Sequence, residues 1–161
     1  MARRRSLVFG AVVGAAVVVL VPFAASGDEK RIVLTERMQL TGFDPATGAG
    51  TQAGTFVSAG AVNDAGPATA TFTLVPASGG CGTLAGTHVF TGSAGTLSVH
   101  TEALACPFPP TTPPRSFVRG EWEVVGGTGA YAGLRGQGRI FATGDFATGV
   151  ITIARDGKVK G

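Results

Sequence analysis

Past residue 27, apolar and polar side chains alternate with a period of two, and no stretch sustains a period of 3.6. Positions 31–41 set the pattern. Ile32, Leu34, Met38 and Leu40 fall on one face of a strand, and Arg31, Thr35, Arg37 and Gln39 on the other. Glu36 interrupts this order by placing a carboxylate on the apolar face. Further strands are predicted over 55–62, 68–75, 84–91, 95–102, 115–125, 137–143 and 150–155. In them Ala70, Phe72 and Leu74 oppose threonines, and Leu97 and Val99 oppose Ser98 and His100. Val118, Trp122 and Val124 oppose Arg119, Glu121 and Glu123.

Glycine and proline mark the breaks. Residues 42–54 read as a loop. Turns are predicted at 63–67, 76–82, 92–95 and 126–129, and at Asp156-Gly157 before a short final extension. Residues 106–114 hold five prolines. Prolines cannot donate ladder hydrogen bonds, so this stretch reads as a stiff, extended excursion tied down at Cys106. Seven or eight strands with short links favour antiparallel neighbours. Closing the sheet removes its edges, which makes a single antiparallel up-and-down β-barrel of about eight strands the expected fold, with a β-sandwich as the second architecture. A barrel of about that size has an interior filled by side chains or just able to hold one small ligand.

The first 27 residues stand apart. Arg3, Arg4 and Arg5 precede an apolar run from Leu7 to Ala25, and small residues follow at Ala24, Ala25 and Ser26. This is the order of a cleavable signal peptide, with an uncleaved anchor as the alternative reading and either the general or the twin-arginine export route open. The expected division is therefore a signal peptide over 1–27 and one β-barrel domain over 28–161, located outside the cytoplasm or in the cell envelope. The chain has 13 Lys+Arg and 10 Asp+Glu. Setting aside the three leading arginines leaves ten basic and ten acidic residues, a balance that argues against nucleic acid as a partner. It also gives no reason to expect a membrane partner after cleavage. Cys81 and Cys106 are the only cysteines. In an oxidising compartment such a pair reads as a disulfide, which would close a loop of about 26 residues and contribute about 3–3.5 kcal/mol. No metal site is expected, because there is no CxxC and neither His88 nor His100 has ligand-like spacing to the cysteines. No cofactor is expected either.

The most distinctive stretch is 122–138, WEVVGGTGAYAGLRGQG. It reads as a strand, a glycine turn, a compact segment with Tyr131 and Leu134 buried, and a second strand. No lysine or helical pattern follows the glycines, so a phosphate-cradling loop is a poor reading. The stretch resembles the GGTG-x-(F/Y)-x-x-x-x-G signature of the allene oxide cyclase and dirigent barrel superfamily, which includes exported bacterial members. Thr55-Phe56 with Gly60, and Asp64-Ala65-Gly66, resemble that family's second strand and turn. The resemblance implies an eight-stranded barrel with a central cavity, in chains that often form dimers or trimers. Dirigent proteins typically carry an acidic residue directly after GGTG, where this chain has Ala130. Their arginine near the end of the motif corresponds to Arg135. The early-strand carboxylate of plant allene oxide cyclases corresponds loosely to Glu36.

Glu36, Tyr131 and Arg135 are therefore the candidate ligand-binding residues, each with a plainer alternative. Glu36 is a cavity acid or base, or else a strand-end group or the partner of an arginine. Arg135 orients a ligand oxygen, or it pairs with a carboxylate and holds the turn. Tyr131 donates to a ligand, or it anchors the loop in the core. His100 lies on a polar face, and neither histidine belongs to a recognisable triad. Glu121 and Glu123 share a face as glycosidase carboxylates do, but alternate with core residues and read as outward. Three functions follow: a secreted barrel that binds an apolar small molecule without turnover; an isomerase, cyclase or stereo-directing protein that uses Glu36 and Arg135; or an envelope interaction protein whose proline-rich loop makes contacts. A cavity shared by Glu36 and Arg135 favours the first two. A lumen filled by Phe56, Phe72, Phe90 and Trp122 favours the third.

Overall fold

The computed structural model describes residues 28–107, 115–145 and 147–161. Residues 1–27, the expected signal peptide, and most of the proline-rich stretch lie outside them. Eight strands form a closed barrel: β1 (Lys30–Phe43), β2 (Ala49–Gly60), β3 (Asp64–Pro76), β4 (Gly82–Gly92), β5 (Gly95–Pro107), β6 (Arg115–Gly127), β7 (Arg135–Asp145) and β8 (Val150–Lys160). Each strand pairs antiparallel with its neighbour in sequence, and β1 pairs with β8 to close the ring. The up-and-down barrel is thus the observed architecture.

The period-two pattern sets which side chains face in. Ile32, Leu34 and Met38 of β1, Phe56 of β2, Phe90 of β4, Leu97 and Val99 of β5, Trp122 of β6 and Ile153 of β8 are all buried in one core. The Phe56 and Phe90 rings lie 5.1 Å apart, and Trp122 donates its indole N–H to the Arg139 carbonyl at 3.1 Å. Phe56, Phe90 and Trp122 are buried in the lumen, the arrangement that favours the third of the three functions, while Phe72 is only half-buried.

Three expectations about boundaries fail for physical reasons. Residues 42–54 are not a loop: β2 starts at Ala49, and only 44–48 turn the chain. The turn is held by Asp44, whose carboxylate accepts from the Ala46 N–H (2.9 Å) and the Thr47 hydroxyl (2.8 Å). The first half of this strand is silent in the sequence because its inward positions are Gly50 and Gln52, whereas the second half, with Phe56 inward, falls within the strand expected over 55–62. The Phe72 ring from β3 occupies the space a side chain at Gly50 would need. Residues 63–67 are not all turn either, since β3 begins at Asp64 and Pro67 lies within it. Pro67 faces Thr55 of β2, and pairing with β4 begins only at Ala68, so no ladder bond to β4 is asked of its nitrogen. Asp156-Gly157 is no turn: β8 runs through it to Lys160, and Gly157 is an inward position. A Cβ there would stand 2.6 Å from Cζ2 of Trp122, so the indole takes the place of a side chain.

The two ends of the barrel differ. At one end a short 3-10 segment, Gly129–Tyr131, brings Tyr131 into the core with no exposed surface. At the other end Cys81 and Cys106 form the expected disulfide, tying the β3–β4 connection to the end of β5. Inward-facing Phe72, Leu74, Leu84, Val118 and Ile151 near that end are only half-buried. The disulfide is consistent with an oxidising compartment. No helix among the described residues is long and apolar enough to cross a membrane.

Candidate functional site

The alternation that buries the apolar face of β1 carries Glu36 in with it, to 3 % exposure. Glu36 stands opposite Ile153 of β8, and Leu34 opposite Arg155, so Arg155 is its diagonal neighbour across the closing seam. Arg155 Nε donates to Glu36 Oε1 at 2.6 Å, and Arg155 Nη1 donates to the Thr101 hydroxyl of β5 at 2.8 Å. From across the lumen, His88 of β4 places Nδ1 2.8 Å from the other carboxylate oxygen, Oε2. An ionised carboxylate only accepts, so Nδ1 carries the proton and Nε2 the lone pair. Four strands that are not all neighbours are thereby joined through one polar layer at the waist of the barrel.

The electrostatics follow from burial. Burial would raise the Glu36 carboxyl, but the Arg155 guanidinium and then His88 outweigh it and hold the group below its ordinary range. Burial lowers the His88 imidazole, and the Arg155 charge adds to this against the pull of Glu36, so His88 is neutral at pH 7. The layer is therefore one carboxylate and one guanidinium, with a neutral imidazole and a hydroxyl as further partners. Among the described residues, two buried side-chain atoms, Arg155 Nη2 and Gln52 Oε1, have no hydrogen-bond partner. A carboxylate–imidazole pair of this kind can act as a base through Nε2. Here the Glu36 and Arg155 side chains have no exposed surface and His88 has 5 %. These groups lie within the core, with the Phe90 ring centroid 6.2 Å from that of His88.

A second polar cluster sits under the 3-10 segment. The Tyr131 hydroxyl donates to Asp64 Oδ2 at 3.2 Å and lies 3.2 Å from Ser58 Oγ. Asp64 also accepts from the N–H groups of Ala65, Ser93 and Ala94 and from the Ser93 hydroxyl. Burial opposes ionisation of Asp64, but the backbone donors, Ser93 and Tyr131 hold it below its ordinary value. Tyr131 is pushed up by burial and by the Asp64 charge.

Of the three candidate residues, Glu36 and Tyr131 are inside the barrel and Arg135 is outside. Glu36 meets Arg155 rather than Arg135, and Tyr131 anchors its loop. Arg135 is exposed and helps line a groove of about 670 Å³ on the outer face of β5–β8. One wall of this groove is acidic, with Glu102 of β5 and Glu121 and Glu123 of β6. The other is basic, with Arg135 and Arg139 of β7 and Lys158 and Lys160 of β8. Inward positions behind the basic wall are Gly136, Gly138 and Gly157; Gly157 lies against the Trp122 indole, and Gly136 and Gly138 lie against the backbone of β8. Among the described residues Glu121, Glu123, Arg135, Arg139 and Lys160 make no ion pair, although Glu121 stands opposite Arg139 in register. Lys158 reaches Glu29 at 3.4 Å and His100 reaches Glu102 at 3.8 Å. Beside this groove the outer face carries an apolar hollow of about 430 Å³ around Phe141, which is 58 % exposed.

Sequence reasoning missed Arg155, the inward role of His88, Thr101 and Asp64. The signal was parity. Arg155 follows Ile151 and Ile153 on one face, and His88 lies between Leu84 and Phe90 on another. Reading a turn at 156–157 hid the first. Among the described residues no group of three His, Cys, Asp or Glu side chains is placed to hold a metal ion. Comparison with protein-family models, with curated proteins and with solved structures finds no match.

Proposed function

We propose that this chain is an exported, non-catalytic binding module: a filled barrel that serves as scaffold, with its recognition surface on the outer face of β5–β8. One contrast carries the reading. The acid, base and cation inside the barrel bond to one another in the buried core, whereas the groove outside is open and lined by charges most of which make no ion pair among the described residues. The disulfide and the leader-like first 27 residues support export. The resemblance to allene oxide cyclase and dirigent barrels supports the closed barrel only. Their chemistry is not carried over, because Ala130 replaces the acidic residue and Arg135 lies outside the lumen.

A second reading, an apolar small molecule held in the barrel, is favoured by the half-buried inward residues at the disulfide end and by the unpartnered Gln52 Oε1. A fragment screen followed by amide chemical shifts on the labelled protein separates the two. The surface reading expects binders to shift residues 121–123, 135–139 and 158–160. Binders that shift Gln52, Phe72 and Leu84 instead would replace it with the lumenal one.

A further inference from the structure

We propose that the groove on β5–β8 binds short peptides by their two charged ends, with the ammonium against the acidic wall and the carboxylate against the basic wall. This rests on the reading of that face as the recognition surface. Three carboxylates, Glu102, Glu121 and Glu123, lie on the β5–β6 side of the groove and four cations, Arg135, Arg139, Lys158 and Lys160, on the β7–β8 side, where Glu29 pairs with Lys158. A polyanion or a polycation meets one repelling wall. A molecule with one charge of each sign, suitably spaced, meets none.

The spacing follows from the sheet. Neighbouring strands are about 4.8 Å apart, so the β6 acids stand about 5 Å from the β7 cations, the β6 and β8 columns are about 10 Å apart, and the β5 and β8 columns, the widest separation, about 14 Å. An extended peptide gains about 3.3–3.6 Å per residue, so the termini of a tripeptide or tetrapeptide match that span. The groove's volume of about 670 Å³ lies in the range of small-ligand sites, about 300–1,000 Å³. The wall charges are also available. Glu121 and Arg139 are cross-strand neighbours, yet among the described residues they make no ion pair, and neither do Glu123, Arg135 and Lys160. Burying part of such a wall against an opposite charge costs less than breaking existing ion pairs would.

The test is a titration of the full, disulfide-bonded chain with tetra-alanine, followed by amide shifts, at low salt and again at about 0.5 M salt, where exposed pairs are largely screened. The peptide is used with free termini, with either end blocked by acetyl or amide, and with both ends blocked. The expected result is shifts confined to 121–123, 135–139 and 158–160. Blocking either end should weaken binding by about two- to fivefold, the usual worth of one exposed ion pair. Glu123→Gln should weaken the free peptide and leave the acetylated one unchanged, which assigns the ammonium to the acidic wall. The proposal fails if the doubly blocked peptide binds as well as the free one, or if no peptide shifts the groove. If fragments still shift the groove in that case, the peptide assignment falls and the surface reading stands. If every shift maps to Gln52, Phe72 and Leu84, both fall.

Discussion

Two carboxylates are buried in this barrel, and they are kept ionised in different ways. At the waist Glu36 faces a guanidinium, an arrangement that requires a second full charge to be buried. Under the 3-10 segment Asp64 faces no cation. It is served by three backbone N–H groups and two hydroxyls, all neutral. The cation makes the waist the stronger but less forgiving cluster, because loss of one partner strands a charge in the core. The neutral donors spread the same task over several bonds, each worth about 1 kcal/mol.

The sharpest way to break the comparison is Arg155→Met. It should destabilise the protein by about 3–5 kcal/mol at pH 7, measured by denaturant unfolding, because Glu36 is left buried without a counter-charge, with only the neutral His88 as donor. The loss should shrink towards pH 4.5, where Glu36 can take up a proton. Combining Arg155→Met with Glu36→Leu should recover much of the loss, since an apolar pair leaves no stranded charge. If the double variant is as unstable as the single, the waist is not the electrostatic unit described.

Acid probes the same contrast. The His88 imidazole is lowered from its ordinary value of 6.5, so the unfolded chain binds a proton there that the folded one resists. That contribution to stability is complete above pH 6.5 and is lost as pH falls below it. Glu36 acts in the same direction but lower. Its folded value lies below the ordinary 4.5, so its contribution is present above 4.5 and is lost as pH falls through the folded value. The melting temperature should therefore decline from pH 7 to pH 5, before most carboxylates titrate. His88→Gln, which keeps a donor for Glu36, should flatten that first decline. An unchanged slope would remove His88 from the account.

The smallest effect belongs to the neutral cluster. Tyr131→Phe removes one hydroxyl from Asp64 and Ser58 and should cost about 1 kcal/mol, read from the denaturant midpoint. A loss as large as that of Arg155→Met would mean that the two clusters do not differ as argued.

Most of the barrel was legible in the sequence because burial on one face leaves a period-two trace. Strands β1, β4, β5 and β6 announce themselves through Leu34, Phe90, Val99 and Trp122. Only the second half of β2 did so, through Phe56; its first half is silent because its lumenal positions are Gly50 and Gln52, and the Phe72 ring from another strand occupies the space at Gly50. The site was half legible for the same reason. Glu36 stood out against its apolar neighbours, but its partner had to be found on β8, 119 residues away, where no local spacing points to it. Arg135 was drawn towards the lumen by the glycine motif, but its place in β7 is an outward one.

The seam between β1 and β8 has a consequence for how the chain reaches its native state. Seven of the eight ladders join strands that are neighbours in sequence and can zip up as successive hairpins; the eighth must wait for the C-terminal strand. Its closure carries the entropy cost of a very long loop, which makes it the slow contact of the topology. Until β8 docks, β1 and β7 are open edges and Glu36 has no guanidinium. A chain still emerging from a ribosome or a translocation pore therefore cannot shut prematurely, and the final strand delivers closure and neutralisation of the core in one event.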